Sequence, residues 1–157
     1  MQIQTTAQII INGKIEDVFD SSIESQNLPK FFTGYKSIPA IIHAKTTDGL
    51  PLHQGSMRIV KNSDSSEIEE IIINLQRPTI QEYELMRGFQ PPFSWLVSSA
   101  SGKWLYSNVN SETQIIWQFE FKMKNYLAYL FFNVAIKKMF QQAQMICLEN
   151  LKAFVEQ

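Results

Sequence analysis

T-Q-I-I-W-Q-F-E-F-K-M-K (residues 113–124) runs directly into N-Y-L-A-Y-L-F-F-N-V-A-I-K-K-M-F (residues 125–140), and the change of period between them decides the fold. In the first stretch Ile115, Trp117, Phe119, Phe121 and Met123 fall on one side, and Gln114, Gln118, Glu120 and Lys122 on the other. A period of two with one apolar and one polar face predicts a half-buried strand of an antiparallel sheet. From the second stretch onward Tyr129, Phe132, Ile136, Phe140, Ala143, Cys147, Leu151 and Phe154 recur at steps of three and four. That spacing predicts one long helix over about 124–155, with Gln141, Gln142, Gln144, Glu149 and Lys152 outside the stripe. Its first half differs from its second: between Tyr126 and Phe140 only Asn133, Lys137 and Lys138 are polar. A helix apolar on most sides is expected to be buried on most sides, which a strongly curved sheet wrapped around it would accomplish.

Working back towards the N-terminus, strands are expected near 38–46, 54–62, 67–76, 79–88 and 95–109, ahead of the one at 112–123. Asp48-Gly49, Asn62-Ser63-Asp64, Arg77-Pro78, Pro91-Pro92 and Asn110-Ser111 separate them. Connections this short leave no room for helical crossovers, so the strands must run antiparallel. Residues 2–11 supply another strand, with Ile3, Ala7, Ile9 and Ile11 on one face and Asn12-Gly13 ending it. Over 14–22, Ile15, Val18 and Phe19 are spaced as on a short helix. A second short helix after Ser25 holds Leu28, Phe31 and Phe32, with Pro29 in its first turn. The expected class is α+β: seven antiparallel strands curved around a long C-terminal helix, two short helices after the first strand, and one domain over 1–157.

Composition narrows the function. Apolar residues make up 45% of the 157, while charged residues reach only 18% against about 25% in an average soluble domain. Fourteen Lys and Arg against fifteen Asp and Glu leave a net charge of −1, without the basic excess of a nucleic-acid binder. Cys147 is the single cysteine and lies in an apolar helical stretch, where it reads as a small core residue. No His, Cys or carboxylate stands at ligand spacing beside it, so no metal site is expected. Residues 1–11 lack the pattern of a signal peptide. The most apolar run, 126–136, is much shorter than the ~20 residues a membrane span requires. A cytoplasmic protein without stable membrane insertion is expected.

The order of elements resembles the helix-grip fold of the START-like superfamily, also called SRPBCC or Bet v 1-like, and within it the polyketide cyclase/dehydrase branch. The likeness covers essentially the whole chain. It is carried by I-N-G-K-I-E-D-V-F-D (11–20) at the exit of the first strand and by S-Q-N-L-P-K-F-F (25–32), ending in aromatics after a proline. G-S-M-R-I-V (55–60) with E-E-I (69–71) resembles the paired middle strands, and Thr113 through Trp117 to Phe119 the T-x-x-x-W-x-F penultimate strand. The resemblance implies a cavity between sheet and helix that takes a hydrophobic small molecule, and no cofactor. It implies no reaction, because the superfamily includes carriers, hormone binders and cyclases.

Parity locates the candidate site. Ile71, Ile73 and Leu75 share one face of their strand, predicted to be the inner one, which would turn Glu69 inward and leave Glu70 in solvent. An inward carboxylate must be paired or protonated, and Arg58 on the neighbouring strand is the partner available. Trp95, Trp104, Tyr106, Tyr83 and Trp117 all fall on predicted strands. The expected ligand wall is Arg58, Glu69, Tyr83, Trp104, Trp117 and Phe121, with Phe132 and Ile136 from the helix; a bulge at Gly102 would invert part of this assignment. His53 lies in a loop and His43 in a strand, neither with a partner at the spacing of a catalytic constellation. No H-E-x-x-H, phosphate loop or G-x-G-x-x-G is present.

Three functions compete on these residues. The first is binding or carriage of a lipid, polyketide-like or aromatic metabolite without turnover. The second is a cyclase/dehydrase-type enzyme, with Glu69, Arg58, Tyr83 and His43 as the proton-handling candidates. In the third, the helix segment 126–132 docks onto a partner, a second copy forming a homodimer, or a membrane surface. Lys122 and Lys124 before that segment and Lys137 and Lys138 after it are thin support for an electrostatic membrane anchor.

Overall fold

The computed structural model covers residues 1–157. Its seven strands are β1 (Gln2–Ile11), β2 (Ile41–Thr46), β3 (Met57–Asn62), β4 (Glu67–Gln76), β5 (Ile80–Arg87), β6 (Val97–Val109) and β7 (Glu112–Met123). They form one antiparallel sheet in the order β1-β7-β6-β5-β4-β3-β2. Consecutive strands from β2 to β7 are neighbours, as short connections require. The exception is the step from β1 at one edge to β2 at the other. Helix α1 (Ile15–Ile23), a 3-10 turn at Ser25–Asn27 and α2 (Leu28–Phe31) make that crossing. A buried hydrogen-bond chain pins α1 to the sheet. Gln81 Nε2 donates to the Tyr106 hydroxyl at 2.7 Å, which donates to Ser22 Oγ at 2.6 Å, whose own proton goes to the Phe19 carbonyl at 2.8 Å.

The alternation in β7 sets the core. Ile115, Trp117, Phe119, Phe121 and Met123 are all buried, and the register places Ala7 opposite Trp117 and Ile3 opposite Phe121. Pairing a large residue with a small one across the strands leaves room for the indole. Helix α5 (Lys137–Val155) lies against this face along β1 and α2, burying Phe140, Ala143, Cys147, Leu148 and Leu151. The larger of these, Phe140, Leu148 and Leu151, are each worth about 1.5–3 kcal/mol when fully withdrawn from water.

The C-terminal segment departs from expectation in three ways. It is two helices, α4 (Tyr126–Ala135) and α5, interrupted at Ile136, although hydrogen bonds from Ile136 N to Phe132 O and from Phe140 N to Ile136 O carry the chain through. Asn125 caps α4 by accepting from Ala128 N at 2.8 Å, so this helix starts on its own signal. Second, α4 is not enclosed. It reaches beyond the concave face, touching chiefly α3 (Phe93–Leu96), α5 and parts of β1 and β7. Only Ala128 and Phe132 are buried in it, while Leu127 is 77% and Val134 83% exposed. Third, Gln144 lies fully inside, because the buried face of α5 is broad enough to take in 140, 144, 147, 148 and 151 together.

Two smaller differences concern the strands. Trp95 belongs to α3 and is 69% exposed. The bulge in β6 falls at Val97–Ser99; Gly102 sits in regular register between Tyr83 and Phe119.

Candidate functional site

An apolar cavity of about 160 Å³ lies between the concave sheet and α5. Trp104, Trp117, Phe119 and Phe121 form its floor, with the two indoles stacked at 4.6 Å between ring centroids. Phe140 and Cys147 of α5 close it from above, and Phe89 and Phe93 from the β5–β6 connection close one side. Asp64 and Gln90, exposed while also lining the cavity, mark its mouth. Each floor residue arrives from the inward parity of β6 or β7, so the same alternation that builds the core builds the wall.

Ser22, Asn62, Ser66 and Gln81 add polar groups to the lining, and its charged feature below the mouth is one buried ion pair. Arg58 of β3 and Glu70 of β4 are direct register partners, and Arg58 Nη2 donates to Glu70 Oε1 at 2.6 Å. They are 3% and 5% exposed. Arg58 Nη1 donates further to the Ile23 carbonyl at 3.2 Å and to Ser25 Oγ at 3.3 Å, satisfying a terminal carbonyl of α1 with a cation. Its Nε–H is buried and makes no hydrogen bond, and neither does the buried indole N–H of Trp117. Both atoms are donors only. The Tyr83 hydroxyl lies beside the Trp104 and Trp117 indoles; burial, and after it the charge of Glu70, hold it far above the usual phenol range, so it stays protonated. Burial likewise pushes the Cys147 thiol up, keeping it neutral.

Arg58, Tyr83, Trp104, Trp117 and Phe121 therefore line the cavity, as the sequence places them. Glu69 does not. It points outward and pairs with Arg87, while Glu70 occupies the inward position. The cause is a bulge between Ile72 and Asn74. Beyond it Leu75 packs on the core with the parity read from the sequence; before it the inward set is Ile68, Glu70 and Ile72. An Ile-rich strand hides such a shift, because both faces are apolar. His43 is exposed on β2, away from the cavity. Phe132 and Ile136 are buried but lie behind the wall, Phe132 packing on Phe93 and Phe121 at 6.3 and 4.6 Å. Phe119, Phe140 and Cys147 carried the right periodicity, but only as core positions.

No family model matches the chain, and no curated protein does. Solved structures do. A major latex-like protein from Panax ginseng superposes with a TM-score of 0.71 over 98% of this chain and 97% of its own, at 13% identity. XoxI from Bacillus cereus gives 0.72 over 98% and 95%, at 18%. The di-domain ARO/CYC protein BexL gives 0.70 at 12% identity; it covers 99% of this chain, which spans half of BexL. The chain thus has the helix-grip, Bet v 1-like fold: a curved antiparallel sheet and a C-terminal helix enclosing a cavity.

Proposed function

We propose that the protein binds a small hydrophobic molecule, an aromatic metabolite of about one ring bearing a carbonyl or carboxylate oxygen, without transforming it. The observation that carries this reading is the pair of buried, unpartnered N–H groups, Arg58 Nε and Trp117 Nε1, among aromatic walls. A donor kept from water without a partner costs about 1–3 kcal/mol. A ligand acceptor that shifts the wall enough to reach either group removes that cost and gains the apolar contacts as well. Size supports the aromatic class over a long-chain lipid, since an apolar cavity of about 150 Å³ takes up benzene. Proton transfer is poorly served. Glu70 is held by Arg58, Tyr83 stays protonated, and Asp64 is committed to Ser66 N and Oγ at 2.9 and 2.6 Å.

Native mass spectrometry of freshly purified protein would show a retained ligand as discrete excess mass. Calorimetric titration then compares acetophenone with α-methylstyrene, its hydrocarbon counterpart. The proposal expects acetophenone to bind at least about tenfold tighter, since a hydrogen bond from a charged donor such as Arg58 is worth roughly 1.5–3 kcal/mol. Equal affinities would remove the acceptor from the reading, and saturable binding of neither would remove the ligand.

A further inference from the structure

The exposed face of α4 belongs to no packing interaction described so far. At 3.6 residues per turn, Tyr126, Leu127, Leu130, Phe131 and Val134 fall within a sector of about 140°, opposite the buried Ala128 and Phe132. All five are exposed, from 41% at Leu130 to 83% at Val134. Trp95, 69% exposed, adds an indole from α3, whose Ser94 carbonyl accepts from Lys124 Nζ at the start of α4. Isolated exposed apolar residues are ordinary; five on one helical face mark a contact surface.

The lysines around α4 are thin support for a membrane contact by themselves, but they flank this exposed apolar face, and together the two indicate what covers it. From Phe121 to Leu148 the chain has four lysines, Lys122, Lys124, Lys137 and Lys138, and no Asp or Glu. From Gly88 to Ser101, through α3, it has no charged residue at all. Acids outnumber bases over the whole chain, so this end is locally basic against the general trend. Lysines stand at both ends of the apolar face. A second copy packed along α4, parallel or antiparallel, would bring lysine against lysine at each end. An anionic surface meets the same lysines with opposite charge, and accepts Trp95 and Tyr126 at the depth where amphipathic rings are favoured.

We infer that α3 and α4 form a face that docks reversibly on an anionic bilayer, with Leu127, Phe131 and Val134 in the acyl boundary and the lysines at the headgroups. The contact is peripheral, because no helix is long and apolar enough to cross a membrane. Phe93 lines the cavity and packs on Phe132, so the docking face and the cavity share α3. The inference stands independently of what the cavity holds.

Vesicle co-sedimentation tests it, using phosphatidylcholine with and without about one-third phosphatidylserine. The protein is expected to sediment with the anionic vesicles and to be released by high salt. Lys137→Gln with Lys138→Gln should lower partitioning about 30-fold, each lysine near such a surface being worth roughly 1 kcal/mol. Leu127→Ser with Val134→Ser should abolish it while leaving the circular dichroism spectrum unchanged, because both sites are exposed. Absence of sedimentation, or sedimentation indifferent to both double variants, overturns the inference. So does a dimer in analytical ultracentrifugation that Leu127→Ser dissociates, which would assign the face to a second copy.

Discussion

Arg58 and Glu70 face each other across β3 and β4, joined at 2.6 Å, with both side chains out of solvent and the Arg58 Nε–H left without a hydrogen bond. The pair does two things at once. Arg58 reaches past Glu70 to the Ile23 carbonyl and Ser25, tying the end of α1 and the turn after it to the far half of the sheet. It also brings a cation to the wall of a mostly apolar chamber. A buried ion pair is weak support for stability in itself, yet breaking it is costly, because the surviving charge has no water to return to.

That asymmetry gives the first prediction. Arg58→Met should destabilise by about 3–5 kcal/mol, since it strands the Glu70 carboxylate. Adding Glu70→Leu should recover most of that loss, because the remaining site is apolar and similar in volume. Urea unfolding midpoints of the two variants decide it; a double variant as unstable as the single one would show that the Ile23 and Ser25 contacts, rather than charge burial, dominate.

Most strands could be read in the sequence because their two faces differ in chemistry. In β7 the split between Trp117, Phe119, Phe121 and the intervening Gln118, Glu120 leaves one solution, and the burial follows it. In β4 the run Ile71, Ile72, Ile73 offers no such contrast, and the bulge beside it decides which glutamate enters the cavity. The helix interruption at Ile136 was illegible for a related reason: no proline or glycine marks it, and the three- and four-residue spacing runs through it unbroken. The apolar start of that helix was visible, but apolarity alone does not distinguish a buried face from a docking face. Of the site, the aromatic floor followed from alternation, whereas the unpartnered donors are properties of three-dimensional placement.

Cys147 offers a direct probe of the enclosure. It is 4% exposed, lines the cavity beneath α5, and burial holds its thiol well above the usual range. Only the thiolate reacts readily with disulfide reagents. Native protein is therefore expected to resist labelling at neutral pH, with a rate that rises only as urea begins to unfold the chain. Rapid native labelling would mean that α5 opens away from the sheet without global unfolding.

A separate pH dependence is expected in the loop between β2 and β3. His53 donates to the Gln54 carbonyl at 2.9 Å and pairs with Asp48 at 3.1 Å, and both contacts raise its pKa above the ordinary 6.5. Asp48 is lowered, chiefly by the Leu50 backbone N–H and then by His53. A raised histidine contributes below its unfolded pKa and loses that contribution as pH rises through the folded value; a lowered aspartate contributes above its unfolded pKa and loses it as pH falls through the folded one. The bridge should be fully formed between the two midpoints. An NMR titration of the His53 ring should give a midpoint above 6.5, lowered but not restored in Asp48→Asn because the Gln54 bond persists. A midpoint unaffected by that substitution would separate the two side chains in solution.

Gly102 and Tyr83 are register partners on β6 and β5, and the hydroxyl end of the tyrosine ring crosses the glycine, where a Cβ would overlap its Cζ and Oη. The strand needs no special backbone freedom there; what it needs is the missing side chain. Gly102→Ala must push a buried ring off its seat, and the nearest yielding space is the cavity that Tyr83 already lines. Such overpacking costs about 1–3 kcal/mol, and part of the relaxation should appear as lost cavity volume. The expected result is a modest fall in unfolding midpoint together with a larger loss of ligand affinity. In a Tyr83→Leu background the obstruction is gone, so adding Gly102→Ala should change affinity little. If Gly102→Ala lowers affinity equally in both backgrounds, the glycine acts through the strand rather than through the ring.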